Sequence, residues 1–159
     1  MKKVEPILRG FSRYSNRRKL IILTAVRTRA EVPSCDAVLK GVSRAWNDGD
    51  GIEFASYFTE DADLVNVHGM HVRGRQAIAG LYQMLFRSVF ADTSVEYEVS
   101  GRRTLCPNST LVHVRVELSV PRGQMVGDHH TQTSIVLQHS GDGWAIASLQ
   151  NTMVAGTGN

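Results

Sequence analysis

At Thr93 the spacing of apolar residues changes from about 3.6 to about 2, which divides the chain into a helical part and a sheet part. Before that point Val38, Leu39, Val42, Ala45 and Trp46 recur at three- and four-residue steps, behind Ser34 and Asp36, which offer N-cap oxygens. The turn cluster Asn47-Asp48-Gly49-Asp50-Gly51 stops this helix. A short helix is expected over Ile52 to Phe58. A longer one is expected over Arg75 to Phe90, where Ile78, Leu81, Tyr82, Leu85, Phe86 and Val89 share one stripe. Between them, Asp63 to His68 is β-branched and too short for a capped helix, so it reads as a strand. Gly69 reverses it into His71-Val72-Arg73.

After the change of period, four strands are expected at Thr93 to Leu105, Leu111 to Val120, Asp128 to His139 and Trp144 to Val154. Turn residues separate them at Cys106-Pro107-Asn108-Ser109, Pro121-Arg122-Gly123 and Ser140-Gly141-Asp142-Gly143. Three helices and a hairpin followed by a meander predict an α+β fold, with a curved antiparallel or mixed sheet packed on the helices. A sheet curved in this way leaves a concavity in which a small-molecule pocket forms.

With 159 residues the chain has the length of one domain, and its 42% apolar and 21% charged residues are ordinary for a globular protein. The net charge of +3 is unevenly placed. Residues 1 to 33 hold nine Lys or Arg against Glu5 and Glu31, a net of +7, which leaves −4 for residues 34 to 159. The body is therefore mildly acidic, with no basic run longer than Arg102-Arg103, which argues against nucleic acid as a partner. Residues 1–33 read as a basic extension, with the composition of a leader or transit segment, and residues 155–159 as a tail. The longest apolar run, Leu20 to Val26, is about a third of a membrane span, so no transmembrane helix is expected. Cys35 and Cys106 stand apart without a CxxC spacing, which fits a reducing, cytoplasmic setting better than a disulfide framework.

Three separated stretches, in order, carry a resemblance. They are the helix end Trp46-Asn47-Asp48-Gly49-Asp50, the segment Glu60 to Gly69 continuing through Gly74-Arg75-Gln76-Ala77-Ile78, and the close from Gln132-Thr133 through Gly143-Trp144-Ala145-Ile146-Ala147 to Gln150-Asn151-Thr152. Over residues 34–154 the chain resembles the nuclear-transport-factor-two-like superfamily, and within it the SnoaL-like and SgcJ/EcaC-type proteins. The resemblance implies a cone-shaped domain enclosing a small hydrophobic ligand, and a homodimer formed through the open sheet face. It also implies a place in polyketide or related secondary metabolism. Because this fold hosts isomerases, cyclases, hydrolases and non-catalytic modules, function has to be argued from the residues. The oxidoreductase label that goes with the resemblance requires a redox cofactor, and no motif in the sequence supports one.

Isomerases of this superfamily keep a carboxylate base on the first strand, and the resemblance places that position on Asn66, whose amide cannot take a proton near neutral pH. His68 is the nearest substitute, since alternation from Leu64 through Asn66 puts it on the same strand face. Its alternative role is to cap the turn at Gly69. His129 and His130 are adjacent on one strand and point to opposite faces. His130 shares its face with Gln132 and Ser134, and Gln150 on the last strand adds to that polar set; His129 shares its own with Thr131, Thr133, Ile135 and Leu137. The candidates are therefore His68 and His130 for proton transfer, with Trp46, Asn66, Tyr82, Gln132 and Gln150 for binding. Trp46 and Tyr82 serve equally well as core. His68 and His71 flank a turn rather than sharing a helix face, which argues against a metal site, and His113 and His139 have no motif around them. No triad order, P-loop or dinucleotide fingerprint occurs. Two functional classes remain: a cofactor-free cyclase or isomerase acting on a hydrophobic polyketide-like or isoprenoid-like intermediate, and a non-catalytic ligand-binding or accessory protein.

Overall fold

Ser34 accepts a hydrogen bond from the Ala37 amide at 3.1 Å and so starts the first helix, α1 (Cys35–Asn47), whose Val38, Leu39, Val42, Ala45 and Trp46 are buried. The computed structural model describes residues 34–155; the basic extension at 1–33 and residues 156–159 of the tail lie outside the described residues. Gly49, at φ +67, turns the chain out of α1. Asp50 then caps α2 (Gly51–Ser56) by accepting from the Ile52 and Glu53 amides, both at 2.9 Å. Strand β1 (Phe58–Val65), strand β2 (His71–Arg73) and α3 (Arg75–Phe86) follow. The long strands are β3 (Ser94–Cys106), β4 (Ser109–Val120), β5 (Gly127–Ser140) and β6 (Gly143–Met153).

These strands form one six-stranded sheet in the order β2-β1-β6-β5-β4-β3. Strands β3 to β6 are the expected meander. β1 joins its end by pairing parallel to β6, while β2 pairs antiparallel to β1, so the sheet is mixed. The three helices pack on one face, and the architecture is α+β.

Two elements differ in their limits from those read in the sequence. Strand β1 begins at Phe58, inside the segment expected to be helix, and stops at Val65 instead of His68. A bulge between Phe58 and Asp63 interrupts its pairing with β6, so the alternation that marks a strand fails across Thr59 to Ala62. Helix α3 stops at Phe86 instead of Phe90. Val89 and Phe90 keep helical spacing, yet they belong to a turn that lays the Phe90 ring 4.9 Å from that of Trp46.

The centre of the core is aromatic. The Trp46 ring meets Phe54, Tyr82 and Phe86 edge-on at centroid distances of 6.1, 5.7 and 5.2 Å, and Phe54 stacks on Tyr82 at 4.2 Å. Each such pair adds about 0.5–1.5 kcal/mol beyond simple burial. α1 is tied to the sheet by Asn47, whose side chain accepts from the Val95 amide at 2.7 Å and donates to the Val95 carbonyl at 3.2 Å.

Candidate functional site

Alternation along the long strands sends one row of side chains toward the helices. Tyr97, Val116, Thr131 and Met153 occupy one cross-strand line, and Val99, Val114, Thr133 and Asn151 the next. Between these rows and the helices lies a cavity of about 380 Å³. Its helical wall is Trp46, Phe54, Leu81, Tyr82, Leu85 and Phe90; its sheet wall includes Val95, Tyr97, Val116, Leu118 and Leu149. Met70, Met125 and Met153 also line it and are 44%, 37% and 43% exposed, so they mark where it opens to solvent. The polar members of the lining are Asn66, His68, His129, Thr131, Thr133 and Asn151, with the two tyrosines. Among the described residues, no Asp, Glu, Lys or Arg side chain takes part. A second, open groove of about 660 Å³ between α1 and β3 is lined by the charged Asp36, Lys40 and Arg44 and by Leu39, Tyr97, Val99 and Val114 among others.

Burial pushes the phenols of Tyr82 and Tyr97 well above their ordinary range, and the nearby Tyr82 adds to the effect on Tyr97. Both therefore stay neutral. Thr133 donates its hydroxyl to the side-chain oxygen of Asn151, and the Thr131 and Thr133 hydroxyls lie 3.4 Å apart. His129 approaches the Met125 carbonyl through Nε2 at 2.7 Å.

A family model described as SnoaL-like domain matches residues 39–145. The chain belongs to the SnoaL-like family. Among solved structures, it is similar to a domain of unknown function with a cystatin-like fold from Nostoc punctiforme PCC 73102. The identity there is 29%, covering 76% of this chain and 75% of that one, with a TM-score of 0.69. A ketosteroid isomerase-like protein from Erwinia carotovora atroseptica SCRI1043 is 17% identical over 80% of this chain and 98% of its own, with a TM-score of 0.65. A nuclear-transport-factor-two-like protein of unknown function from Shewanella oneidensis MR-1 is 18% identical over 72% and 93%, with a TM-score of 0.62. The last two show the fold alone. No curated protein matches the chain.

Of the residues nominated from the sequence, this SnoaL-like domain brings Trp46, Tyr82, Asn66 and His68 to the cavity lining. The strand that was to carry Asn66 and His68 ends before them, so they reach the cavity from the β1–β2 turn. There Asn66 Oδ1 accepts from the His68 and Met70 amides at 2.9 and 3.0 Å. The turn-capping role weighed for His68 belongs to Asn66. The amide at the supposed base position is engaged in building the turn.

His130, Gln132 and Gln150 are not on the lining. Ile135 and Leu137 are fully buried, which fixes the inward parity of β5 on His129, Thr131 and Thr133 and sends His130 and Gln132 outward. Gln132 donates to Ser100 at 3.2 Å on that outer face; His130 lies opposite Glu117, and Gln150 opposite Ser134. The sequence held the signal, since His129 shares its parity with Ile135 and Leu137, but the polar row was preferred over the apolar one. Tyr97, Thr131, Thr133 and Asn151 were also missed. His71 bonds Asp63 at 2.7 Å at the sheet edge. Among the described residues, no three His, Cys, Asp or Glu side chains converge as a metal site would need, and no helix is long and apolar enough to cross a membrane.

Proposed function

We propose that this SnoaL-like domain binds one small, uncharged and mainly apolar ligand in the cavity beneath its helices. The observation that carries this reading is the lining: aromatic and aliphatic walls, a few polar groups and, among the described residues, no Asp, Glu, Lys or Arg side chain. A charged ligand would lose its hydration with no counter-charge to replace it, whereas an apolar one gains about 25 cal/mol for each Å² removed from water. The volume falls within the range of about 300–1,000 Å³ usual for such sites.

Within that reading, the finer proposal is a cofactor-free cyclase or isomerase acting on a hydrophobic polyketide-like or isoprenoid-like intermediate, with His68 exchanging the proton. His68 supports it because the imidazole lies on the lining and makes no side-chain hydrogen bond among the described residues. The commitment of Asn66 to the turn supports the non-catalytic alternative. A homodimer would use the outer sheet face that carries His130, Gln132 and Gln150.

Titration with N-phenyl-1-naphthylamine, a neutral apolar fluorophore, tests the binding reading. Saturable binding of one equivalent is expected, lost on filling the cavity by Val116→Trp or Thr131→Phe while the thermal transition persists. Absence of saturable binding, or binding indifferent to both substitutions, would sink it. For catalysis, turnover of an identified substrate should fall at least tenfold in His68→Phe.

A further inference from the structure

The cavity carries polar atoms at two separated places, and hydrogen bonding fixes what each can offer. At His129, Nε2 lies 2.7 Å from the Met125 carbonyl oxygen. A carbonyl only accepts, so Nε2 holds the hydrogen. In the neutral ring, Nδ1 is left as a lone-pair acceptor with no partner among the described residues. At Asn151 the polarity is reversed. Its Oδ1 is taken by the Thr133 hydroxyl, and its Nδ2 hydrogens have no partner among the described residues, on a side chain that lines the same cavity.

The sheet register sets their separation. Asn151 pairs with Thr133, four residues along β5 from His129 and one strand across. At about 3.3 Å per residue and 4.8 Å per strand, their Cα atoms stand about 14 Å apart. Between them the Thr133 hydroxyl is engaged with Asn151, and the surrounding wall is largely apolar.

We infer that the cavity selects an elongated and uncharged molecule with a hydroxyl at one end and a carbonyl oxygen at the other, His129 Nδ1 accepting from the hydroxyl and Asn151 Nδ2 donating to the carbonyl. The inference rests on the reading of the cavity as a ligand site and names the ligand class for it. A simple hydrocarbon leaves both groups unpaired. A carboxylate finds a donor at Asn151 but no Lys or Arg among the described lining residues.

Four naphthalenes test it, through displacement of N-phenyl-1-naphthylamine from the full chain: 6-propionyl-2-naphthol, 2-propionylnaphthalene, 2-naphthol and naphthalene. Adding either oxygen function should tighten binding roughly 3- to 10-fold, and the hydroxyketone should gain from both. In His129→Phe a ring is retained but carries no acceptor where Nδ1 stood. The hydroxyl preference should vanish there while the ketone preference stays. In Asn151→Asp, which still accepts from Thr133, the ketone preference should vanish and the hydroxyl preference stay. A wild-type protein indifferent to both groups, or a His129→Phe protein that still prefers the hydroxyl, would overturn the inference. If naphthalene itself fails to displace the fluorophore from wild type, the cavity reading fails with it. If naphthalene binds without selectivity, only the ligand class is refuted.

Discussion

The indole nitrogen of Trp46 on α1 donates to the hydroxyl of Thr93 at 3.1 Å, and that hydroxyl in turn donates to the Phe90 carbonyl at 2.9 Å. This relay of three groups closes the helical end of the cavity, since Trp46 and Phe90 both line it and Thr93 is 6% exposed. Thr93→Val keeps the shape but leaves a buried N–H unpaired. A loss of about 1–3 kcal/mol is expected in urea unfolding. Loss well below that range would show that the indole finds another acceptor.

Asn66 separates a structural role from a catalytic one. Asn66→Ala removes the acceptor for the His68 and Met70 amides and should cost about 0.5–2 kcal/mol, comparable to loss of a helix cap. Asn66→Asp retains an acceptor oxygen and should melt close to wild type at neutral pH. Thermal unfolding of the pair decides the point, because equal destabilisation by both substitutions contradicts the turn role.

Gly51 is the place where α2 crosses the backbone of α3. A Cβ built there would stand 2.3 Å from the Gln83 amide nitrogen and 2.7 Å from Gln83 Cα. Backbone cannot swing aside as a side chain can, so Gly51→Ala must push the two helices apart. A loss of about 1–3 kcal/mol or more is expected, together with altered fluorophore affinity, since Phe54 and Tyr82 would move with their helices. Wild-type stability in this variant would contradict the packing described.

Alkaline pH offers a test of Tyr82. Its phenol is 4% exposed, and burial holds its pKa well above the ordinary value of 10.0. The folded state thus keeps a proton that the unfolded state gives up. The stabilisation is fully present below the unfolded pKa and is lost as pH rises above it, by about 1.4 kcal/mol per pH unit until the folded pKa is reached. Urea unfolding between pH 9 and 11 should show a shallower decline in Tyr82→Phe than in wild type. Parallel declines would mean that Tyr82 ionises in the folded protein as it does in the unfolded one.

Much of the fold could be read from spacing. Each long strand lies within a few residues of its expected limits, because alternation over ten or more residues leaves little freedom. β1 was misplaced because its bulge breaks the alternation, and Val89 and Phe90 misled because helical spacing continues for a turn after the helix has ended. Trp46 and Tyr82, expected on helical stripes as core or as ligand wall, line the cavity. In the sequence His130 stands in a polar row, which suits either a solvated face or the few polar groups a pocket needs, whereas His129 stands at the end of an apolar row. The structure places His129 and not His130 on the lining, since the side of a strand that continues into the core is the side that also walls the cavity.

By itself the sequence determined the periodicities, and with them the three helices and the four-strand meander, because each depends on neighbours a few positions apart. Only the tertiary structure decided what depends on distant partners: the parallel seating of β1 on β6, the Trp46–Thr93 contact across 47 positions, and the choice of Asn66 as the turn-builder. The tautomer of His129 belongs to the same group. It depends on how the β4–β5 loop folds back to present the Met125 carbonyl, and no local pattern specifies that.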